Sequence, residues 1–193
     1  DTSVALSPKQ YGHITRYALL AVANPDDFSQ TCAALDGRSA SNDSNVTVTS
    51  TLPIMTDNVT FTFGGKSETV QLIVVPDDRT SDLGDYVRLE DESKEPLPLR
   101  DGDVYLSKSS QLVLGIQPGD TAHVQDSSLN VAKVKVSDIS LNYLGNTLYM
   151  TQGTYERTFG RSARLNGIFA LLKGSSADQI AFSKNLKSDG WLT

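Results

Sequence analysis

The chain has 193 residues, with 17 Lys and Arg against 23 Asp and Glu, a formal net charge of -6. That length fits one globular body, bilobed at most, and the negative balance opposes a phosphate-backbone partner. One cysteine, Cys32, excludes an internal disulfide, and the two histidines, His13 and His123, are too few and too far apart in sequence for a structural zinc site.

At the N-terminus, Tyr11 and Ile14 predict a helical turn ahead of the apolar run Tyr17 to Ala23. That run falls far short of the roughly 20 apolar residues a membrane helix needs, and it is expected as a buried strand. The sequence opens at Asp1 without an initiator Met, a basic leader or an apolar leader core, which points to a removed signal or, as the favoured expectation, to a fragment of a larger protein. Asn24 as N-cap, Pro25 at the first helical position, and Asp26 and Asp27 at the positive end of the dipole predict a helix over 25–35. Phe28, Cys32 and Leu35 share one face of it and Gly37 stops it, so Cys32 is expected as a small buried hydrophobe.

From Val46 the period changes to two, predicting strands at 45–55, 58–63 and 68–76, with Gly64-Gly65-Lys66 as a tight hairpin turn. Gly64-Gly65-Lys66-Ser67 also ends like a phosphate-binding loop, but Thr60 stands where that loop needs its first glycine and a strand follows instead of a helix. Residues 77–103 are expected to be mostly loop. Their clusters Asp77-Asp78, Glu90-Asp91-Glu92 and Asp101-Gly102-Asp103 lack the alternating oxygens and closing Glu of a calcium loop, and are read as solvated turn carboxylates.

Further on, a strand is predicted to Ser107, a short helix over 108–114, and strands at 119–125, 131–140 and 147–151. Thr151 is positioned to cap a helix that carries Tyr155 and Phe159 one turn apart and stops at Gly160, before a strand over 165–172. Ser176 and Gln179 at capping-box spacing, with Lys184 and Lys187 near the far end, predict a last helix over 177–188.

Several of these stretches, in order, resemble a known family. Val104-Tyr105-Leu106-Ser107, Leu114-Gly115-Ile116 and Gly119-Asp120-Thr121, then Asn142-Tyr143-Leu144-Gly145, Tyr149-Met150-Thr151, Tyr155, Phe159-Gly160 and Leu165-Asn166, are similar to the extracytoplasmic domains of FtsX-like ABC-transporter permeases of the MacB-type core group, especially those of Gram-positive anaerobes. Lys9-Gln10-Tyr11 and Arg16-Tyr17 are similar to the segment just outside the membrane in that family. Ser110-Gln111 depart from it, standing where the family commonly has Leu-Ala, and residues 38–100 carry almost none of its motifs.

The resemblance implies an α+β, two-lobed fold. A split ferredoxin-like, porter-like lobe would come from 1–84 and 161–193, a smaller strand-rich lobe would be inserted at 85–160, and both chain ends would leave from the first lobe. It implies a non-catalytic domain on the extracytoplasmic side of the cell membrane that couples helix motion to the handling of a substrate or partner. Its partners would be the flanking transmembrane helices of the same protein, a cytoplasmic ATPase subunit, and a second permease copy or an extracellular peptide or lipid substrate. Neither a cofactor nor a nucleic acid is expected, and no residue is singled out as catalytic, ligand-binding or metal-ligating. A pocket would be sought between the lobes.

Two other readings stay open. A free-standing secreted binding or adhesion module would suit the acidic, Cys-poor composition, and the sequons at Asn42, Asn45 and Asn58 hint at it, though chance in a Ser/Thr/Asn-rich stretch explains them more simply. A secreted hydrolase would have to use His13, expected in a membrane-proximal turn, or His123, expected on a strand. Gly160-Arg161-Ser162-Ala163-Arg164 is only loosely similar to a nucleophile elbow, since Arg164 replaces the last glycine and no strand leads in.

Overall fold

A computed structural model describes residues 3–11, 14–22, 47–141 and 145–173. The predicted helices over 25–35 and 177–188, together with Cys32, His13, Asn42, Asn45 and Asn142-Tyr143-Leu144, lie outside the described residues. The described strands are β1 (Ser3–Tyr11), β2 (Ile14–Val22), β3 (Thr47–Phe63), β4 (Lys66–Val75), β5 (Val104–Ser107), β6 (Thr121–Gln125), β7 (Val131–Lys135), β8 (Asp138–Ser140), β9 (Thr147–Thr151) and β10 (Gly167–Lys173). Among the described residues two α-helices longer than a single turn accompany them, α1 (Lys108–Leu114) and α2 (Gln152–Phe159). The fold is α+β, and it divides into two compact units: 1–54 with 164–193, and 55–163.

The first unit holds an antiparallel sheet in the order β1-β2-β10-β3. Its first strand corrects the expected helical turn at Tyr11. Val4 and Leu6 already alternate with smaller residues at the strand period, and β1 pairs with β2 from Ser3↔Val22 to Tyr11↔Ile14. Both prolines of this sheet sit on its outer strands, Pro8 on β1 and Pro53 on β3, where a missing N–H is tolerated. A bulge between Leu171 and Leu172 shifts the β10–β3 register, and there the Thr49 hydroxyl donates to the Leu171 carbonyl at 3.2 Å. Leu20, Leu52, Ile54 and the run Ile168 to Leu172 are buried.

The second unit holds a mixed sheet in which β3 continues beside β4, followed by β9, β5 and β8, while β6 pairs with the far end of β3 and β7 with β6. Here β4 lies parallel to β9, and β5 parallel to β8. Phe61, Leu72, Leu106, Ile116, Val124, Val136, Leu148 and Met150 form the center of its core. Although β4 was expected in the lobe built from 1–84, it belongs to this unit, because Val70, Leu72 and Val74 pack into that core.

The strands expected separately at 45–55 and 58–63 are one strand, β3. Its buried positions change parity along the way. Val48, Leu52, Ile54 and Thr56 are buried in the first stretch, then Val59 and Phe61 in the second, which disguises continuous backbone as two segments. The turn after it is the tight hairpin expected: Gly64 and Gly65 have φ of 58° and 78°, the left-handed pair a two-residue hairpin favours, and Phe63 pairs with Lys66. The strand expected at 131–140 is broken into β7 and β8 at Ser137, whose hydroxyl accepts from the Val104 amide at 2.7 Å and donates to the Val104 carbonyl at 2.9 Å. Within 77–103 the backbone is irregular apart from a 3-10 turn at Asp77–Asp82 and a single helical turn at Leu83–Tyr86.

Candidate functional site

A polar constellation of the second unit surrounds the start of α2. Thr151 is the N-cap, its hydroxyl accepting from the Thr154 amide at 3.2 Å, and Gly160 ends the helix at φ 67°. Tyr155 and Phe159 stack with centroids 4.8 Å apart. In the first turn the Gly153 amide donates to Asp77 Oδ1 at 2.9 Å, so a carboxylate from the 3-10 turn satisfies a donor that the helix itself leaves open. The Gly102 amide donates to Thr154 Oγ1 at 2.8 Å, and the Asp101 carboxylate accepts from Arg157 and from Thr154. Asp77, Thr80, Asp101, Thr151 and Arg157 line a cleft of about 280 Å³.

This arrangement is a clamp more than a catalytic site. Arg157, followed by smaller contributions from Thr154 and the Gly102 amide, holds Asp101 below the usual carboxylate range, so it stays a charged acceptor instead of becoming a proton donor. Gly153 is small for a reason: a Cβ there would stand 3.2 Å from Asp77 Oδ2 and 3.4 Å from Asp101 Oδ1. Arg157 is itself the partner of Asp101, so the cleft offers no unengaged acid–base pair.

The other acidic clusters build turns as well. Asp91 Oδ1 accepts from the Ser93 and Glu95 amides at 2.8 and 2.9 Å, and Glu92 pairs with Lys108. Asp103 Oδ2 accepts from the Arg100 amide at 3.0 Å and from the Tyr105 hydroxyl at 2.8 Å. Burial, reinforced by Asp103, drives the Tyr105 phenol well above its ordinary pKa. Among the described residues no three His, Cys, Asp or Glu side chains are grouped to hold a metal ion. A second cleft of about 690 Å³ is more apolar, lined by Leu83, Leu89, Leu97 and Leu99 with Pro96 and Pro98.

Of the residues weighed for hydrolysis, His123 and Ser162 are described and neither sits in an arrangement suited to it. His123 is exposed on β6, opposite Lys133 of β7, and Ser162 follows a helix, α2, whereas an elbow nucleophile follows a strand. Asn58 is exposed on β3, opposite Gln71. Sequence reasoning did not single out Arg157 or Asp126. Asp126 is a buried carboxylate that accepts from the Ser128 and Asn130 amides at 2.9 and 2.8 Å and lies 3.5 Å from Arg161. The turn-rich string Asp126-Ser127-Ser128-Leu129-Asn130 was the signal that could have found it.

The solved structures similar to this chain include extracytoplasmic regions of ABC-type transporters. One is the periplasmic region of MacB from Actinobacillus actinomycetemcomitans, at 16% identity and a TM-score of 0.44, covering 92% of this chain and 84% of that one. Another is the extracellular domain of the noncanonic ABC-type transporter YknZ from Gram-positive bacteria, at 15% identity and a TM-score of 0.45, covering 86% of this chain and 85% of that one. No protein-family model and no curated protein sequence matches the chain.

Proposed function

We propose that this chain is the extracytoplasmic domain of an ABC-transporter permease and works mechanically, without chemistry of its own. The observation that carries this reading is that β2 and β10 are direct neighbours in one sheet. The chain segments before and after the second unit are therefore held by the same unit, as a domain tethered at both ends requires. The motif order from Val104 to Asn166 supports the same reading. So does the use of Asp77, Asp91, Asp103 and Asp126 as cap and turn acceptors.

On this view the first unit acts as the porter-like lobe and the second as the inserted strand-rich lobe. Membrane helices bias them between two arrangements while ATP is hydrolysed inside the cell by another subunit. Swinging such an equilibrium from 1:99 to 99:1 takes about 5.5 kcal/mol of differential free energy. The test is to express the intact gene product, fractionate the cells, and add protease from outside. Pelleting with the membranes, release only by detergent, and external cleavage within this domain are expected. Release of the intact product into the medium without detergent would overturn the proposal and favour a free-standing binding module.

A further inference from the structure

The β6–β7 hairpin ends in a turn that places an aliphatic side chain where folding does not need one. Leu129 has φ 67°, in the left-handed region that suits glycine, and its side chain is 74% exposed. The turn is tightly built around it. Asp126 accepts from the Ser128 and Asn130 amides, the Leu129 amide donates to the Asp126 carbonyl at 3.0 Å, and Ser127 donates through both its amide and hydroxyl to Asp57 Oδ2 at 3.1 and 2.9 Å. Glycine or asparagine would satisfy this backbone at lower cost, so the leucine stands there against conformational preference.

Next to it Val131 is 62% exposed, and the strand alternation sets Lys133 and Lys135 on the same outward side. His123 stands directly across from Lys133. Neither lysine pairs with a carboxylate among the described residues, and the exposed positions of β6 and β7 are Thr121, His123, Val131, Lys133 and Lys135, without an acid, while the part-exposed Asp57 of β3 is engaged by Ser127. In a chain of net charge -6 this is a local reversal of sign.

We propose that this hairpin is a docking finger for an anionic lipid surface, with Leu129 and Val131 entering the headgroup layer and Lys133 and Lys135 facing the lipid phosphates. A projecting aliphatic tip backed by cations suits a soft interface that takes up apolar side chains and attracts basic ones. A protein partner that read the same charge is the alternative that the polyglutamate arm of the test separates. The inference stands on the hairpin alone and is independent of the transporter reading.

The test is flotation of the 193-residue chain with vesicles of phosphatidylcholine, alone or mixed with phosphatidylglycerol. Binding is expected only to the mixed vesicles and should weaken with added salt. Lys133→Gln with Lys135→Gln should lower the partition about 25-fold, roughly fivefold for each charge. Leu129→Gly should lower it about tenfold while leaving thermal stability equal or higher, since glycine accepts the backbone conformation, so lost binding cannot be blamed on unfolding. The proposal is overturned by equal partition onto both vesicle types, by binding that these variants leave unchanged, or by retention on immobilised polyglutamate without any vesicle binding.

Discussion

Helix α1 is built inside out, and the simplest test of that is Gln111→Met. The helix buries Ser110, Gln111 and Leu114 while Leu112 and Val113 face solvent. Gln111 is only 7% exposed, its Oε1 is buried without a partner among the described residues, and its Nε2 reaches Gln117 Oε1 at 3.4 Å, near the limit of a useful hydrogen bond. An unpaired buried acceptor costs about 1–3 kcal/mol, whereas the long amide contact gives back about 0.5 kcal/mol. Methionine has comparable helix propensity and an unbranched side chain of similar length, so it removes the orphan oxygen without opening a void. A net stabilisation of about 1–2 kcal/mol follows, which for a chain of this size raises Tm by roughly 3–6 °C. Urea unfolding at 25 °C, followed by far-ultraviolet circular dichroism, reads the change directly. A loss of stability of about 1 kcal/mol or more in Gln111→Met would refute the reasoning, because it would mean that the amide oxygen is already satisfied.

Thr151→Ala removes both the cap bond to the Thr154 amide and the 2.8 Å contact between the two hydroxyls. A loss of about 1–2 kcal/mol is expected, together with faster hydrogen exchange at the Thr154 amide. Gly65→Ala meets no steric obstacle but must hold φ 78°, so about 1 kcal/mol should be lost in thermal unfolding, and an unchanged Tm would argue against the hairpin geometry. Full burial raises the Tyr149 phenol well above its usual pKa, with only partial opposition from a bond to Thr147. Its contribution is fully present below about pH 10 and is lost as the pH climbs from there toward the raised folded-state pKa, at about 1.4 kcal/mol per pH unit. Tyr149→Phe should remove that slope from the alkaline stability profile, and an identical slope in the variant would show that other groups cause it. Asp101→Asn breaks a well-exposed ion pair with Arg157, so the urea midpoint should barely move, and a large drop would show that the pair carries stability.

Local chemistry was the legible part of the sequence. The Gly64-Gly65 turn and α2, with its Thr151 cap, Tyr155–Phe159 stack and Gly160 stop, follow from short-range rules that tertiary structure did not override. Longer reach was harder to read. The N-terminal hairpin escaped because Tyr11 and Ile14 have helical spacing as well as strand pairing, and only the alternation upstream of them decides between the two. The break at Ser137 depends on a partner, Val104, that is remote in the sequence. The clamp at α2 draws Asp77, Asp101 and Arg157 from three separate stretches, and neither spacing nor composition marks them as a set. The departure noticed at Ser110-Gln111 did correspond to unusual packing, because polar side chains occupy the buried face of that helix.

The change of parity along β3 bears on how this domain can be re-engineered. The second unit begins partway through a strand, so it is not a cassette that can be excised and grafted at loop boundaries. A graft would need the whole of β3, in frame. Inserting a single residue near Thr56 to Asn58 would turn Val59 and Phe61 outward while leaving Leu52 and Ile54 where they are. Tolerance of insertions should therefore be lowest in a stretch whose composition looks unremarkable.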